Sequence, residues 1–288
     1  AVNYISEYTG VKLSNNTFLN KDKHNQLNQT EIKILKACTE FFRKCYLRNK
    51  KASDYLKNRV SDEVINTFQV GYCPEHQILE NFLKKNNFSE NDYQKLNLFI
   101  KNKKGEIFGR FSNRIIFPIF DYDEKVVGFG GRTINNSKIK YINSQESQFF
   151  KKSNILFGLK QNLDFIRAKK EIFLVEGYLD VIKLHEFQIK NSVSSLGTTL
   201  SENQLKKMWY YTDIPFICFD GDQAGVNAAK NIAVKSLSFL IPGKSLKFIF
   251  LPNNLDPDQF LSEKGRDDFL ELKNDSLNLS ELIWSLIL

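Results

Sequence analysis

The sequence predicts an α/β protein in three stretches: a mixed α+β, basic first part (1–168), a parallel-sheet α/β domain (169–254), and the start of a helical C-terminal segment (255–288). Three observations predict it. Beyond residue 170, strands and helices alternate strictly, the pattern of a parallel sheet with right-handed crossovers. Before it, short helical periodicities end in breakers and give way to a β-rich patch. Charge also changes sign: residues 1–170 hold 30 Lys and Arg against 17 Asp and Glu, whereas 171–288 hold 11 against 16. A basic part beside an acidic part points to two jobs, holding a polyanion and holding cations. Lysines scattered through a Lys/Asn-rich chain can reflect composition alone, but that does not account for the change of sign.

Taken in order, residues 11–30 are polar and unpatterned and read as a linker or mobile loop. From Glu31 the apolar positions Ile32, Leu35, Cys38, Phe42 and Cys45 fall at threes and fours, which predicts a helix. Short helices follow near 52–58 and 61–68, Gly71-Tyr72-Cys73-Pro74 breaks the run, and another helix spans about 76–86. Turn signals at Gly105-Glu106 and Asp121–Glu124 bracket two apolar runs, 114–120 and 125–131, which predict a hairpin with a glycine-rich far end. Strands are then expected near 171–176, 191–196, 214–219 and 245–251, and helices near 178–187, 201–211 and 224–240. The capping box Ser201-Glu202-Asn203-Gln204 opens the second of these helices. The apolar tail from Leu279 ends as if inside a helical region.

Composition narrows the classes. A chain of 288 residues, 42% hydrophobic and 13% aromatic, can bury a core and is not wholly disordered. No run approaches the ~18 apolar residues of a spanning helix, and Ala1-Val2-Asn3-Tyr4 shows no signal-peptide pattern, so no membrane partner is expected. Cysteines at 38, 45, 73 and 218 form no CxxC and no Cys/His ligand spacing, so no zinc is expected in this chain and a reducing, cytoplasmic setting is.

The chemistry is expected at the carboxyl ends of the parallel strands. Acids stand there three times: Glu176-Gly177, Asp220-Gly221-Asp222 and Asp256-Pro257-Asp258. Residues two apart in extended backbone share a face, so Asp220 and Asp222 can converge on one ion. Crowded carboxylates repel, and hard oxygen ligands with water positions left open suit Mg²⁺ or Mn²⁺. Two or more such ions can polarise a phosphoryl oxygen and stabilise a leaving group. The bland reading is that D-x-D and D-P-D are merely turns and helix caps; it covers either motif alone better than all three sites together.

The series Val175–Val181, Ser195-Leu196-Gly197-Thr198, Phe219–Gly225 and Asp256-Pro257-Asp258 resembles the TOPRIM domain, and more narrowly that of bacterial DnaG-type DNA primases. The first part adds Tyr55-Leu56-x-x-Arg59, Ile65-x-x-Phe68-x-Val70-Gly71-Tyr72-x-Pro74, Arg114–Ile119, Gly128–Arg132, Lys140–Ser144 and Phe150-x-Lys152. The likeness runs from about residue 1 to 270. It implies a basic subdomain facing a TOPRIM metal site across a groove, in an enzyme that copies single-stranded DNA into a short RNA primer. By that resemblance Glu176, Asp220 and Asp222 are metal ligands, Asp256 and Asp258 lie close by, and Asp180 supports the cluster. Arg59, Arg110, Arg114 and Arg132 fall on the template side. Lys140 and Lys152 meet the incoming nucleoside triphosphate, with Tyr141 and Asn143 in the same motif. The implied partners are template DNA, NTPs, the nascent RNA primer and a replicative helicase, for a monomer in the cytoplasm at the nucleoid.

The chain departs from the family in three places. Nothing here supplies the family's N-terminal zinc domain, its helicase-binding domain is also missing, and Arg-Gly-Leu/Ile is replaced by Arg59-Val60-Ser61. An excised catalytic core is therefore expected, with Arg59's role open. His24, His76 and His185 share no ligand spacing with the acids, Ser194-Ser195 has no histidine partner, and Tyr210-Tyr211 reads as a buried helix end. Gly128-x-Gly130-Gly131 opens no helix and is no dinucleotide fingerprint. Cations interleaved with Phe111 and Tyr141 suit single-stranded nucleic acid. Two other classes remain, a TOPRIM nuclease or topoisomerase and a non-catalytic nucleic-acid scaffold. The complete acidic set argues against the scaffold, and Lys140 and Lys152 with the basic first part argue against the nuclease.

Overall fold

Helix α1 (Gln29–Arg48) lays Ile34, Leu35, Cys38 and Phe42 on one buried face, as the spacing of threes and fours requires. The computed structural model describes residues 29–286 apart from 103, 136, 138, 148, 149 and 198. Most of the polar stretch 11–30, His24, Thr198 and the last two residues of the tail thus lie outside the described residues.

Short helices α2 (Lys50–Lys57) and α3 (Asp62–Thr67) follow, their N-termini capped by Asn49 and Ser61. Where breakers alone are expected, Gly71–Cys73 forms strand β1. It pairs with a later strand, Gly71 opposite Ile116, and lies so close to α1 that a Cβ on Gly71 would stand 2.6 Å from that of Phe42. Tertiary pairing overrides the local signal there. Next come α4 (His76–Lys85), α5 (Glu90–Lys95) and the paired strands β2 (Phe99–Lys101) and β3 (Ile107–Gly109). The expected hairpin is β4 (Arg114–Phe120) and β5 (Val126–Thr133), and β6 (Tyr141–Asn143) completes an antiparallel sheet of order β1-β4-β5-β6. A single 3-10 turn, Lys152–Asn154, precedes helix α6 (Leu159–Lys169).

The alternating part holds β7 (Phe173–Val175), α7 (Tyr178–Glu186), β8 (Ser192–Ser194), α8 (Glu202–Tyr211), β9 (Phe216–Phe219), α9 (Gln223–Ser236) and β10 (Lys247–Phe250). These four strands are parallel, in the order β10-β9-β7-β8. After α10 (Pro257–Lys264) and α11 (Arg266–Asn274), the short antiparallel β11 (Leu277–Asn278) extends the sheet beside β10 and leads into α12 (Leu279–Trp284). Tyr210-Tyr211 divides: Tyr211 is buried, while Tyr210 is 57% exposed, because one side of the end of α8 faces solvent.

The two sheets share a core. Phe117 of β4 stacks on Tyr178 of α7 at 5.1 Å between ring centres, and Phe157 meets Tyr178 edge-on at 4.7 Å. This packing fixes how the antiparallel sheet faces the carboxyl ends of the parallel strands. Gly225 is where that region is tightest, since a Cβ there would stand 2.1 Å from the Asp220 carbonyl oxygen. Gly225→Ala is expected to destabilise the fold by about 2–3 kcal/mol, the cost of overpacking a closed site, read as a lower urea midpoint.

Candidate active site

Glu176 follows the last residue of β7, and one of its oxygens accepts the Asp220 N–H at 3.3 Å. Asp220 follows β9, and its Oδ1 is buried with no hydrogen-bond partner. Asp222 is the N-cap of α9, its Oδ1 accepting the Gly225 N–H at 2.8 Å. Gly221 between them packs so closely that a Cβ would lie 2.2 Å from the Leu251 carbonyl oxygen. Asp180 closes the first turn of α7 by accepting the Gly177 N–H at 2.8 Å. Asp256 caps α10 through the Gln259 N–H at 2.7 Å. The capping reading of D-x-D and D-P-D is thus true of Asp222 and Asp256, and it occupies only one oxygen of each.

The acids crowd one another. Burial, then Glu176, Asp256 and Asp222, push the Asp220 carboxyl up to about 7. Burial, then Asp220 above all, push Asp180 up to about 8. Burial and then Asp222 raise Glu176, against the opposing hydrogen bond from the Asp220 N–H. An orphaned buried carboxylate oxygen among mutually repelling acids fits a divalent cation. Among the described residues no group of three His, Cys, Asp or Glu side chains is placed to hold a metal ion by itself; Mg²⁺ usually keeps several waters and takes phosphate oxygens beside one or two carboxylates.

These raised carboxyls carry a pH signature. A folded-state pKa above the unfolded value gives stability that is complete below about pH 4 and is lost as pH rises through about 7 to 8. Metal-free protein is expected to show that contribution as a falling melting temperature over this window. Asp180→Asn, which keeps an acceptor for Gly177, is expected to flatten the fall. Melting curves in EDTA across pH check it.

Asp258 is near enough to act on Asp180 and is itself paired with two cations. It meets Arg59 at 3.1 Å and the buried Lys183 of α7 at 3.2 Å, and Lys183 also donates to the Arg59 carbonyl at 3.1 Å. Arg59 is therefore held by Asp258 and by the ring of Tyr55, 5.1 Å from its guanidinium carbon.

The Arg132 guanidinium lies over the rings of Tyr55 (5.3 Å) and Tyr141 (5.0 Å) and donates to the Tyr141 hydroxyl, which Asp180 also influences. Asn143 accepts from the Tyr178 hydroxyl and donates to the Leu196 carbonyl at 3.1 Å, tying β6 to the parallel-sheet part. Arg110 donates to the Asn143 carbonyl at 2.9 Å, and Arg114 to the carbonyls of Ile139 and Lys140 at 3.2 and 3.1 Å. These two arginines hold the backbone that carries Lys140 and Tyr141, both exposed. Lys152 is fixed through its own backbone: its N–H donates to Glu146 at 2.9 Å, and its carbonyl accepts from Gln204 at 2.9 Å.

The structure thus gathers Glu176, Asp180, Asp220, Asp222, Asp256 and, through Asp180, Asp258 electrostatically, and gathers Arg59, Arg132 and Tyr141 around Tyr55. Sequence reasoning missed Lys183 and Tyr55 as parts of the site. Lys183 carries no local signal, because its partner Asp258 lies 75 residues on. The wholly buried Gln204 was visible as a capping box but not as the anchor of Lys152.

Family comparison agrees with this architecture. The model described as DNA primase catalytic core, N-terminal domain, matches residues 41–163, and a Toprim-like model matches 173–261. A DNA primase of Rickettsia felis is 35% identical over 285 residues, covering 99% of this chain and 47% of that protein. One of Buchnera aphidicola subsp. Baizongia pistaciae is 38% identical over 270 residues, covering 92% and 47%. The chain spans about half the length of the curated relatives it matches. A DNA primase domain from Pseudomonas aeruginosa superposes with TM-score 0.81 at 33% identity, covering 89% of this chain and 82% of that one. A DnaG primase catalytic domain bound to single-stranded DNA gives 0.81 at 30% identity, covering 89% and 84%. With the same two parts in the same order and the acids at the ends of the parallel strands, this chain belongs to the bacterial DnaG-type DNA primase family and matches that family's catalytic core.

Proposed function

We propose that this chain performs template-directed RNA synthesis, building short primers on single-stranded DNA from NTPs during replication, as a DNA-directed RNA polymerase of the nucleotidyltransferase class. The observation that carries it is the crowded acidic group around the unpartnered Asp220 Oδ1, with the Arg132–Tyr141 pair near enough that Asp180 acts on the Tyr141 hydroxyl. Glu176, Asp220 and Asp222 would hold Mg²⁺ or Mn²⁺. When bound, such ions neutralise phosphate charge and stabilise the pyrophosphate leaving group. Asp180 holds the first turn of α7 beside them, and Asp256 that of α10. Glu176, with one oxygen committed to the Asp220 N–H and a raised pKa, is suited to accept the proton of the attacking primer 3′-hydroxyl. Lys140 and Lys152 take the triphosphate, positioned by Arg114 and Gln204 through the backbone. The rings of Tyr55 and Tyr141 with Arg59 and Arg132 offer stacking and charge to a single strand. In the cell we place the chain in the cytoplasm at the nucleoid, as a monomer that a replicative helicase reaches through another part of the protein.

Incubation with single-stranded DNA, Mg²⁺ and labelled NTPs tests the reading. New oligoribonucleotide supports it. Cut DNA would make the chain a nuclease, and DNA binding without either product a scaffold.

Lys140→Ala and Lys152→Ala are each expected to raise the KM for NTP by about 10- to 100-fold, the worth of one charge-assisted phosphate contact. Mn²⁺ affinity should stay unchanged. Steady-state kinetics with a metal titration check both, and wild-type NTP kinetics in both variants would place the nucleotide elsewhere.

A further inference from the structure

A cavity of about 290 Å³ opens between the β4–β5 turn, the 3-10 turn at Lys152–Asn154, and helices α6 and α8. Phe120, Tyr122 and Tyr211 supply its aromatic walls, and Lys151, Lys160 and Lys207 its cations. It lies where the two parts of the fold meet: the hydroxyls of Tyr211 on α8 and Tyr122 in the turn stand 3.4 Å apart. Its volume is near the low end of the roughly 300–1,000 Å³ of small-molecule sites, which also favour such junctions.

The charges there are unevenly used. Asp121 accepts the Lys125 backbone N–H at 2.8 Å, and Glu124 is paired with Lys160 at 3.5 Å, while Lys160 also sits 4.4 Å over the Phe120 ring. Both acids are therefore engaged by the turn and its neighbour. Lys207 has one partner in hand, the Asn154 carbonyl at 2.6 Å, and no carboxylate within ion-pair distance among the described residues. An ammonium carries three donors, and burial pulls the Lys207 pKa down, against the smaller opposing effect of the nearby Asp121 carboxylate. Exposed Lys151 likewise meets no carboxylate among the described residues.

We propose that this cavity is a second ligand site, taking a small anion carried on an aromatic ring, of the nucleoside monophosphate class. The phosphate meets Lys207 and Lys151, and the base lies against Tyr122 and Tyr211. Since Lys207 is bonded to the same 3-10 turn that carries Lys152, an occupant there would bear on the opposite face of the nucleotide-facing segment.

Isothermal titration with AMP tests this, using the whole chain carrying Asp220→Asn and Lys152→Ala, in EDTA. Disabling the acidic site in the parent makes the outcome independent of the primase reading. AMP is expected to bind at least about tenfold tighter than adenosine or inorganic phosphate, and Lys207→Met to weaken it by about tenfold. Lys151→Ala, at an exposed position that does not threaten the fold, should weaken it by about threefold. The proposal is overturned if AMP binds no better than phosphate or adenosine, or if Lys151→Ala and folded Lys207→Met both bind like the parent. If Lys207→Met does not fold, Lys151→Ala alone decides.

Discussion

If the chain makes primers as proposed, Asp220→Asn is expected to lower synthesis by on the order of 10³-fold or more while leaving the metal-free fold at least as stable as wild type. The activity loss follows from position. Asp220 holds the one buried carboxylate oxygen of the cluster without a partner, between Glu176 and Asp222. An amide there cannot offer an anionic ligand, and losing one such preorganised electrostatic contact costs about 10²–10³-fold even for a neutral donor. The stability expectation has the opposite sign. Asp220 is pushed up to about 7 by burial and by other carboxylates, so above that pH its ionised form works against folding. A neutral isostere removes that repulsion, and the variant should melt at the same temperature or higher at pH 8 in EDTA. Synthesis assays beside melting curves separate a dead site from a damaged fold, and near-normal synthesis by a folded variant would refute the role given to Asp220.

Asp258→Ala is expected to destabilise the protein by roughly 3–5 kcal/mol, the cost of leaving a buried cation alone. Lys183 is almost fully buried, and its salt bridge among the described residues is to Asp258, which also meets Arg59. This cluster ties α7, α10 and the loop before α3 together, so its loss should loosen the register between the basic and acidic parts. The double variant Asp258→Ala/Lys183→Met is expected to recover much of the loss, since the stranded charge goes with it. Urea unfolding of both variants measures this. A single variant as stable as wild type would mean that the pair contributes nothing.

The parallel-sheet part was legible in the sequence because each signal there is local. Apolar strands bounded by glycine and acid, and capping residues at Ser201 and Asp222, mark their own boundaries. The acids at the strand ends were legible for the same reason, since a parallel strand has one functional end. Strand β1 was not, because Gly71-Tyr72-Cys73 becomes a strand only when β4 arrives beside it. Helix α6 was missed although Leu159, Asn162 and Ile166 recur at helical spacing, because buried Asn162 interrupts the apolar pattern. That asparagine bonds His185 and the Ser192 carbonyl, partners 23 and 30 residues away. In the basic part the arginines were visible as charges, but their division of labour was not. Arg110 and Arg114 serve backbone carbonyls, whereas Arg132 lies over two rings.

The most direct test of the central claim, that the acids at the strand ends form a divalent-cation site facing the basic part, is Mn²⁺ binding followed by electron paramagnetic resonance without nucleotide or DNA. Wild type and Lys152→Ala should bind Mn²⁺ alike, and Asp220→Asn should lose most of that binding. Equal binding by wild type and Asp220→Asn, or none by wild type, would contradict the account.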